Sequence, residues 1–198
     1  GVGVLTYELA QRADKVVCVE IDDRLPPILA ETLADCDNAQ IVLKDIMEVD
    51  IHPFMQEHFG DRPVAVFANL PYYITTDVIN KLLFELPQAK SIAVMIQKEV
   101  GDKLLSKPGD DGYGPLAILC QYLCRVERAL DVPAECFNPP PKVDSSFMLL
   151  VRRDEPLYPV DHEQLFFKLI KCAFVMRRKT LVNNLMAGFS LSREIASA

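Results

Sequence analysis

The chain of 198 residues is half hydrophobic and a quarter charged, enough for one core of ordinary size plus a small appendage. No apolar run approaches the roughly 20 residues needed to cross a membrane, and no secretory signal pattern is legible. A formal charge of −7 argues against a generic nucleic-acid binder, yet residues 1–141 hold 12 Lys/Arg against 22 Asp/Glu (−10) while residues 142–198 hold 9 against 6 (+3). Any phosphate contact therefore draws on the C-terminal part and on local patches.

In chain order, Gly1 and Gly3 alternate ahead of a helical pattern, Leu5, Leu9 and Ala10. Glycine lets a backbone approach a ligand closely and adopt φ > 0, as in the tail of a nucleotide-binding loop. Residues 15–20 predict a short buried strand ending in Glu20. An acid at a strand end about 20 positions after a glycine loop can accept hydrogen bonds from both ribose hydroxyls. Ile21 beside it can pack on an adenine ring. A helix is expected over about 25–34, with Pro26 and Pro27 in its first turn, and a strand over 40–43. Asp45 follows that strand, where a carboxylate can accept from an exocyclic amine. The stretch 51–62 is polar, and its two histidines, His52 and His58, are expected on a solvated surface.

The apolar run from Val64 to Ala68 predicts a buried parallel strand, and it runs straight into Asn69-Leu70-Pro71-Tyr72-Tyr73-Ile74. In a doubly wound sheet, ligands bind where strands stop at their carboxyl ends. Asn69 offers an acceptor and a donor there. Pro71 fixes its own φ and pushes Leu70 toward an extended conformation, so backbone carbonyls can face a cleft. Tyr72 can stack on a flat ligand. Nothing in the stretch is a nucleophile or a general base.

Beyond it come a helix over about 76–86 with an apolar stripe of Val78, Ile79, Leu82 and Leu83, a buried strand over 91–96, and a helix opening at Gln97. Residues 105–114 are a loop by composition, followed by a helix over about 115–124 and strands over about 125–132 and 146–152. Between those strands lies Phe137-Asn138-Pro139-Pro140-Pro141-Lys142-Val143-Asp144-Ser145, whose prolines make a stiff segment that holds Phe137 at low entropic cost. Asp154, Pro156 and Pro159 mark a boundary, after which Leu165, Phe166, Leu169, Ile170, Ala173 and Phe174 repeat at helical spacing. Arg177, Arg178 and Lys179 are three consecutive cations suited to phosphates. The six cysteines are scattered without a Cys-x-x-Cys pair, so buried free thiols in a reducing compartment are expected and a metal site is not.

Asn69-Leu70-Pro71-Tyr72 with Tyr73-Ile74-Thr75, the Phe-x-Pro-x-Pro-x-Val-x-Ser pattern beginning at Phe137, and Arg-Arg-Lys-Thr followed by Asn183-Asn184-Leu185 together resemble the ribosomal RNA adenine N6-dimethyltransferase family of the KsgA type. The resemblance spans nearly the whole chain, and its two long motifs are specific where the glycine pair is not. It implies an α/β fold: a Rossmann-like S-adenosylmethionine-dependent methyltransferase sheet over residues 1–155, and a small helical RNA-binding domain over 156–198. It implies cofactor contacts from Gly1, Gly3, Glu20, Ile21, Asp45, Ile46 and Asn69, and catalysis by Asn69, Leu70, Pro71 and Tyr72. Tyr72 and Phe137 would face the target base, and Lys142, Arg177, Arg178 and Lys179 would contact RNA. The implied cofactor is S-adenosyl-L-methionine, and the implied partner is ribosomal RNA in an immature small subunit. A cytoplasmic monomer without metal or membrane is expected. The family pattern has a further strand and glycine before Gly1 and more C-terminal residues, so these residues alone are expected to bind cofactor weakly. Two rivals stay open: an Erm-type methyltransferase of large-subunit RNA, and a non-catalytic RNA-binding assembly or transcription factor with the same fold.

Overall fold

A computed structural model describes residues 1–176 and 178–197. Two compact units account for the chain, one over residues 1–62 with 84–86, the other over 63–83 and from 87 onward.

The first unit begins with α1, Val4–Ala10, entered through Gly3 in the left-handed region at φ 93°. Strand β1, Val16–Glu20, and strand β2, Ala39–Leu43, pair in parallel, joined through α2, Pro26–Thr32. The parallel pair needs a crossover, and α2 supplies it, starting on prolines whose missing N–H groups would have no helical partner there anyway. Ala10, Leu29, Leu33 and Cys36 are buried together, with Val16, Leu25, Ala39 and Ile41 packed against them. Full burial of a leucine such as Leu29 contributes about 1.5–3 kcal/mol. Helix α3, Ile51–His58, occupies the stretch expected to be solvated surface. There His58 is buried with its ring 4.5 Å from that of Phe54, and its carbonyl accepts Lys15 Nζ at 2.8 Å. The composition of 51–62 is polar, but four apolar side chains, Ile51, Phe54, Met55 and Phe59, recur at helical spacing within it.

The second unit carries a four-stranded sheet in the order β3-β4-β6-β5, with β3 Val64–Asn69, β4 Ala89–Gln97, β5 Cys124–Val132 and β6 Ser145–Arg152. β3 and β4 are parallel, whereas β6 runs antiparallel to both β4 and β5. Helix α4, Thr75–Glu85, buries the expected stripe of Val78, Ile79, Leu82 and Leu83. Central strands β4 and β6 supply Ile92, Val94, Ile96, Met148 and Leu150, all essentially inaccessible. Helix α5, Lys98–Leu105, and helix α6, Pro115–Leu123, add Leu104, Leu119 and Cys120 to the buried set. β3 is not a buried strand as its apolar run suggests: it is the edge of this sheet, and Phe67 is 41% exposed. An edge strand has a ladder partner on one side only, so its side chains lose cover that a central strand's keep.

The C-terminal residues are helical as expected, with α7 Glu163–Ala173, α8 Leu181–Phe189 and α9 Arg193–Ser197. α7 packs on α6 through the rings of Phe166 and Phe167, 4.8 and 5.9 Å from that of Tyr122. Cys36, Cys120 and Cys124 are buried and Cys136 is exposed, and the cysteines are free. Cys124 opens β5 rather than closing a helix.

Candidate active site

In the first unit the parallel pairing of β1 and β2 sets Glu20 opposite Leu43, so Glu20 and Asp45 end adjacent strands at one sheet edge. Glu20 Oε1 accepts the backbone N–H of Ile21 at 2.8 Å and of Asp22 at 3.0 Å, and Oε2 lies against the Gly1 amino nitrogen. Partial burial opposes its ionisation, but these donors outweigh burial and hold the carboxyl below its ordinary value. Ile21 beside it is largely exposed. Asp45 Oδ1 accepts the Met47 N–H at 2.8 Å and so caps the short 3-10 turn Ile46–Glu48. Gly1 and Glu20 are brought into contact, and Asp45 and Ile46 stand one strand away.

Gly3 has a packing role that its spacing did not disclose. A Cβ built on it would lie 2.9 Å from Leu29 Cδ2 and 3.1 Å from Thr32 Cγ2. The glycine segment is thus seated on α2, and the Thr32 hydroxyl donates to the Val2 carbonyl at 2.9 Å. Two strand-end carboxylates beside a tightly seated glycine segment and an exposed isoleucine suit a ligand with vicinal hydroxyls, an amine and a flat ring.

In the second unit Asn69 is the last residue of β3, paired with Met95, and is exposed. Leu70 is buried, and its N–H donates to the Met95 carbonyl at 3.1 Å, which carries the ladder one residue beyond the strand. Pro71, at φ −58° and ψ 134°, ends the extended run. Its carbonyl accepts the Ile74 N–H and the Thr75 hydroxyl, both at 3.2 Å, so it is occupied in starting α4. The Pro71 carbonyl is therefore committed to the start of α4, and the exposed polar group at this strand end is the Asn69 side chain.

Tyr72 opens the 3-10 turn Tyr72–Ile74 and is half-buried. Its hydroxyl and that of Ser145 share a hydrogen bond of 3.0 Å. Phe137 is half-buried and follows the 3-10 turn Ala134–Cys136, which is tied down where the Ala134 N–H donates to Asp144 Oδ1 at 3.0 Å. The Asn138–Pro139 peptide is cis. Tyr72 and the turn before Phe137 are thus fastened to consecutive residues, Ser145 and Asp144. The sequence places Ser145 and Asp144 within a motif but discloses no role for either. The one signal was their place at the end of a proline-rich pattern, just before the apolar run of the next strand.

Lys142 is exposed in the same segment and lines a groove of about 400 Å³ with Gln97, Lys98, Glu99, Asp102, Val143 and Asp144. Arg178 and Lys179 are exposed in the turn before α8, not on a helix. Thr180 caps α8 instead, and the buried Asn184 holds the turn by accepting from Met176 N at 2.8 Å and donating to the carbonyls of Met176 and Thr180. Arg177 lies outside the described residues. Among the described residues, no cluster of His, Cys, Asp and Glu could hold a metal ion.

Two solved structures are similar to this chain in fold. A dimethyladenosine transferase from Plasmodium falciparum superposes with a TM-score of 0.73 at 29% identity, covering 93% of this chain and 64% of that one. The 23S rRNA methyltransferase ErmE superposes with a TM-score of 0.73 at 30% identity, covering 94% and 72%. The fold is therefore that of the Rossmann-like RNA methyltransferases.

Sequence comparison narrows the class. The ribosomal RNA adenine dimethylase pattern matches residues 1–196, and the chain belongs to that family. A relative named Ribosomal RNA small subunit methyltransferase A, from Bacillus cytotoxicus, is 49% identical over 186 residues, which cover 93% of this chain and 64% of the relative. A protein of the same name from Bacillus mycoides is 46% identical over 199 residues, covering 98% and 68%. The chain thus spans about two thirds of the length of these curated relatives.

Proposed function

We propose that this protein transfers methyl groups from S-adenosylmethionine to the N6 amine of adenines in small-subunit ribosomal RNA, twice per target base. The observation that carries this reading is the end of β3: an exposed asparagine closes the strand, and the Pro71 carbonyl beyond it is already engaged, which leaves that of Leu70 as the backbone acceptor this reading assigns. An adenine amine has two N–H groups and a lone pair delocalised into the ring. Asn69 Oδ1 and the Leu70 carbonyl would accept those two bonds, favouring a pyramidal nitrogen and stabilising the positive charge that develops on it. The proton is then lost to solvent, so no residue of the chain must act as a base.

Glu20, Ile21, Asp45 and Ile46 would hold the cofactor, the two carboxylates accepting from its ribose hydroxyls and adenine amine. When bound, S-adenosylmethionine supplies a methyl group already activated on a sulfonium. Tyr72 and Phe137 would stack on the extruded base, each ring offsetting part of the few kcal/mol that extrusion costs, at about 1–3 kcal/mol per ring. Residues 156–197, with Arg178 and Lys179, would serve as the RNA-binding part. Identity favours the small-subunit target: the relatives named for it stand at 49% and 46%, the large-subunit enzyme at 30%.

The test is incubation of the intact protein with labelled S-adenosylmethionine and undermethylated small subunits, with large subunits in parallel, followed by mapping of the label. Dimethyladenine confined to small-subunit RNA is expected. Label confined to large-subunit RNA would move the protein to the other branch, and no label with no cofactor binding would leave an RNA-binding factor. Asn69→Ala is expected to abolish methylation with the circular dichroism spectrum and thermal midpoint unchanged. A variant that keeps near-parental rates would remove Asn69 from its role.

A further inference from the structure

We propose that Ser145 is a positioning residue that fixes the Tyr72 ring for base stacking, an inference that rests on the functional reading above. Ser145 is fully buried, yet its hydroxyl needs a partner, since a buried hydroxyl without one is costly. The partner is the Tyr72 hydroxyl at 3.0 Å. An alanine would fill nearly the same space at this position, so the oxygen is there for the tyrosine.

The anchor is rigid because of where it sits. Ser145 is the first residue of β6 and pairs with Gln97 on β4 on one side and Val132 on β5 on the other. The preceding residue adds two more ties. The Asp144 carbonyl accepts the Lys98 N–H at 3.0 Å, and its carboxylate accepts the Ala134 N–H at 3.0 Å. The following residue, Ser146, is also fully buried and donates to Asp131 Oδ1 at 2.5 Å. Residues 144–146 therefore join β4, β5, the start of α5 and the turn leading into Phe137.

Tyr72 itself is on a short 3-10 turn at the sheet edge, half-buried and beside Tyr73, which is 84% exposed. A ring in that setting gains a fixed orientation when its far end is tied to the centre of the sheet. Two hydroxyls thus link the two long motifs of the sequence: the aromatic after Asn-Leu-Pro and the serine that closes the Phe-x-Pro pattern. A preorganised ring binds a flat base without first losing its own rotational freedom, which is an affinity gain rather than a chemical one.

The test uses the intact protein with Ser145→Ala, Tyr72→Phe and the double variant, assayed on small subunits and on a target-site RNA carrying 2-aminopurine at the methylated position. Tyr72→Phe keeps the ring and removes only the hydroxyl, so it remains informative if Ser145→Ala folds poorly. Each single change is expected to lower kcat/KM about tenfold, the order expected for the loss of one partly buried hydrogen bond. The loss should fall on KM and on the 2-aminopurine signal, with cofactor affinity unchanged; Tyr72→Phe, which leaves the buried Ser145 hydroxyl without its partner, is also expected to lower the thermal midpoint. The double variant should be no worse than either single one, because both remove the same bond. Additive losses, or kcat/KM within twofold of the parent in a folded Ser145→Ala or Tyr72→Phe protein, would overturn the assignment. Asn69→Ala, run alongside, separates the two claims: if it is inactive while Ser145→Ala is unaffected, the positioning role alone fails. If Asn69→Ala is active, the functional reading fails first.

Discussion

Asn69, Leu70 and Pro71 divide the polar work of one strand end among three consecutive residues. Leu70 uses its N–H to extend the ladder, Pro71 uses its carbonyl to start the next helix, and the Asn69 side chain is left exposed. No single residue type announces this division, because it depends on which carbonyl the following turn consumes. Gly3 shows the same limit from the other side. Its place in a Gly-x-Gly pair suggested approach to a ligand, but its φ of 93° and its seat on Leu29 and Thr32 make it necessary to the fold as well. Gly3→Ala forces a side chain into the left-handed region and into Leu29, and is expected to destabilise by about 1–3 kcal/mol. Urea unfolding should show a lower midpoint with an unchanged slope, and an unchanged midpoint would mean that α1 enters differently.

At the scale of elements, β5, β6 and α5 are held together by a polar network as well as by their apolar faces. Asp131 Oδ1 accepts the Ser146 hydroxyl, its Oδ2 lies 3.2 Å from Lys98 Nζ, and Arg128 bridges Asp131 and Asp102. The Ser146 hydroxyl, the Lys98 ammonium and the Arg128 guanidinium hold the Asp131 carboxyl below its ordinary 3.8. A carboxyl depressed on folding contributes stability above its unfolded pKa and loses it as pH falls through the folded one. Asp131→Asn should therefore flatten the acid limb of stability below about pH 4 and leave the pH dependence near neutrality unchanged. Urea midpoints at a series of pH values check this, and an acid limb identical to the parent's would show that the network has no linkage to folding. The helical C-terminal elements are organised by a different kind of polar contact, with Asn184 buried in order to close the turn that presents Arg178 and Lys179.

For the chain as a whole, the net charge of −7 and the local excess of cations after residue 141 pull in opposite directions. The proposed RNA binding through a few cations predicts a modest salt dependence. Replacing Lys142, Arg178 and Lys179 with glutamine should reduce the slope of log affinity against log salt by about 0.7–0.9 for each phosphate that is no longer neutralised. Filter binding to small-subunit RNA over a range of salt measures it, and an unchanged slope would mean that other cations neutralise the phosphates. Among the described residues, no helix is long and apolar enough to cross a membrane.

Much of the local structure was legible because it rests on neighbours in sequence. The stripe of α4, the strand runs, the proline-led starts of α2 and α6 and the helical C-terminal residues all follow from periodicity and from backbone restrictions that act within a few positions. The family membership followed from two motifs long enough to be specific. Pairing across distance was not legible. The antiparallel insertion of β6 between β4 and β5, the edge position of β3 with its exposed Phe67, and the burial of His58 each depend on what packs from elsewhere in the chain. The hydrogen bond between Tyr72 and Ser145 belongs to the same group. The two residues are 73 positions apart, and nothing but the fold brings their hydroxyls together. Short-range sterics and periodic burial are written in the order of residues, whereas the choice of partner for a polar group is settled only when distant segments meet.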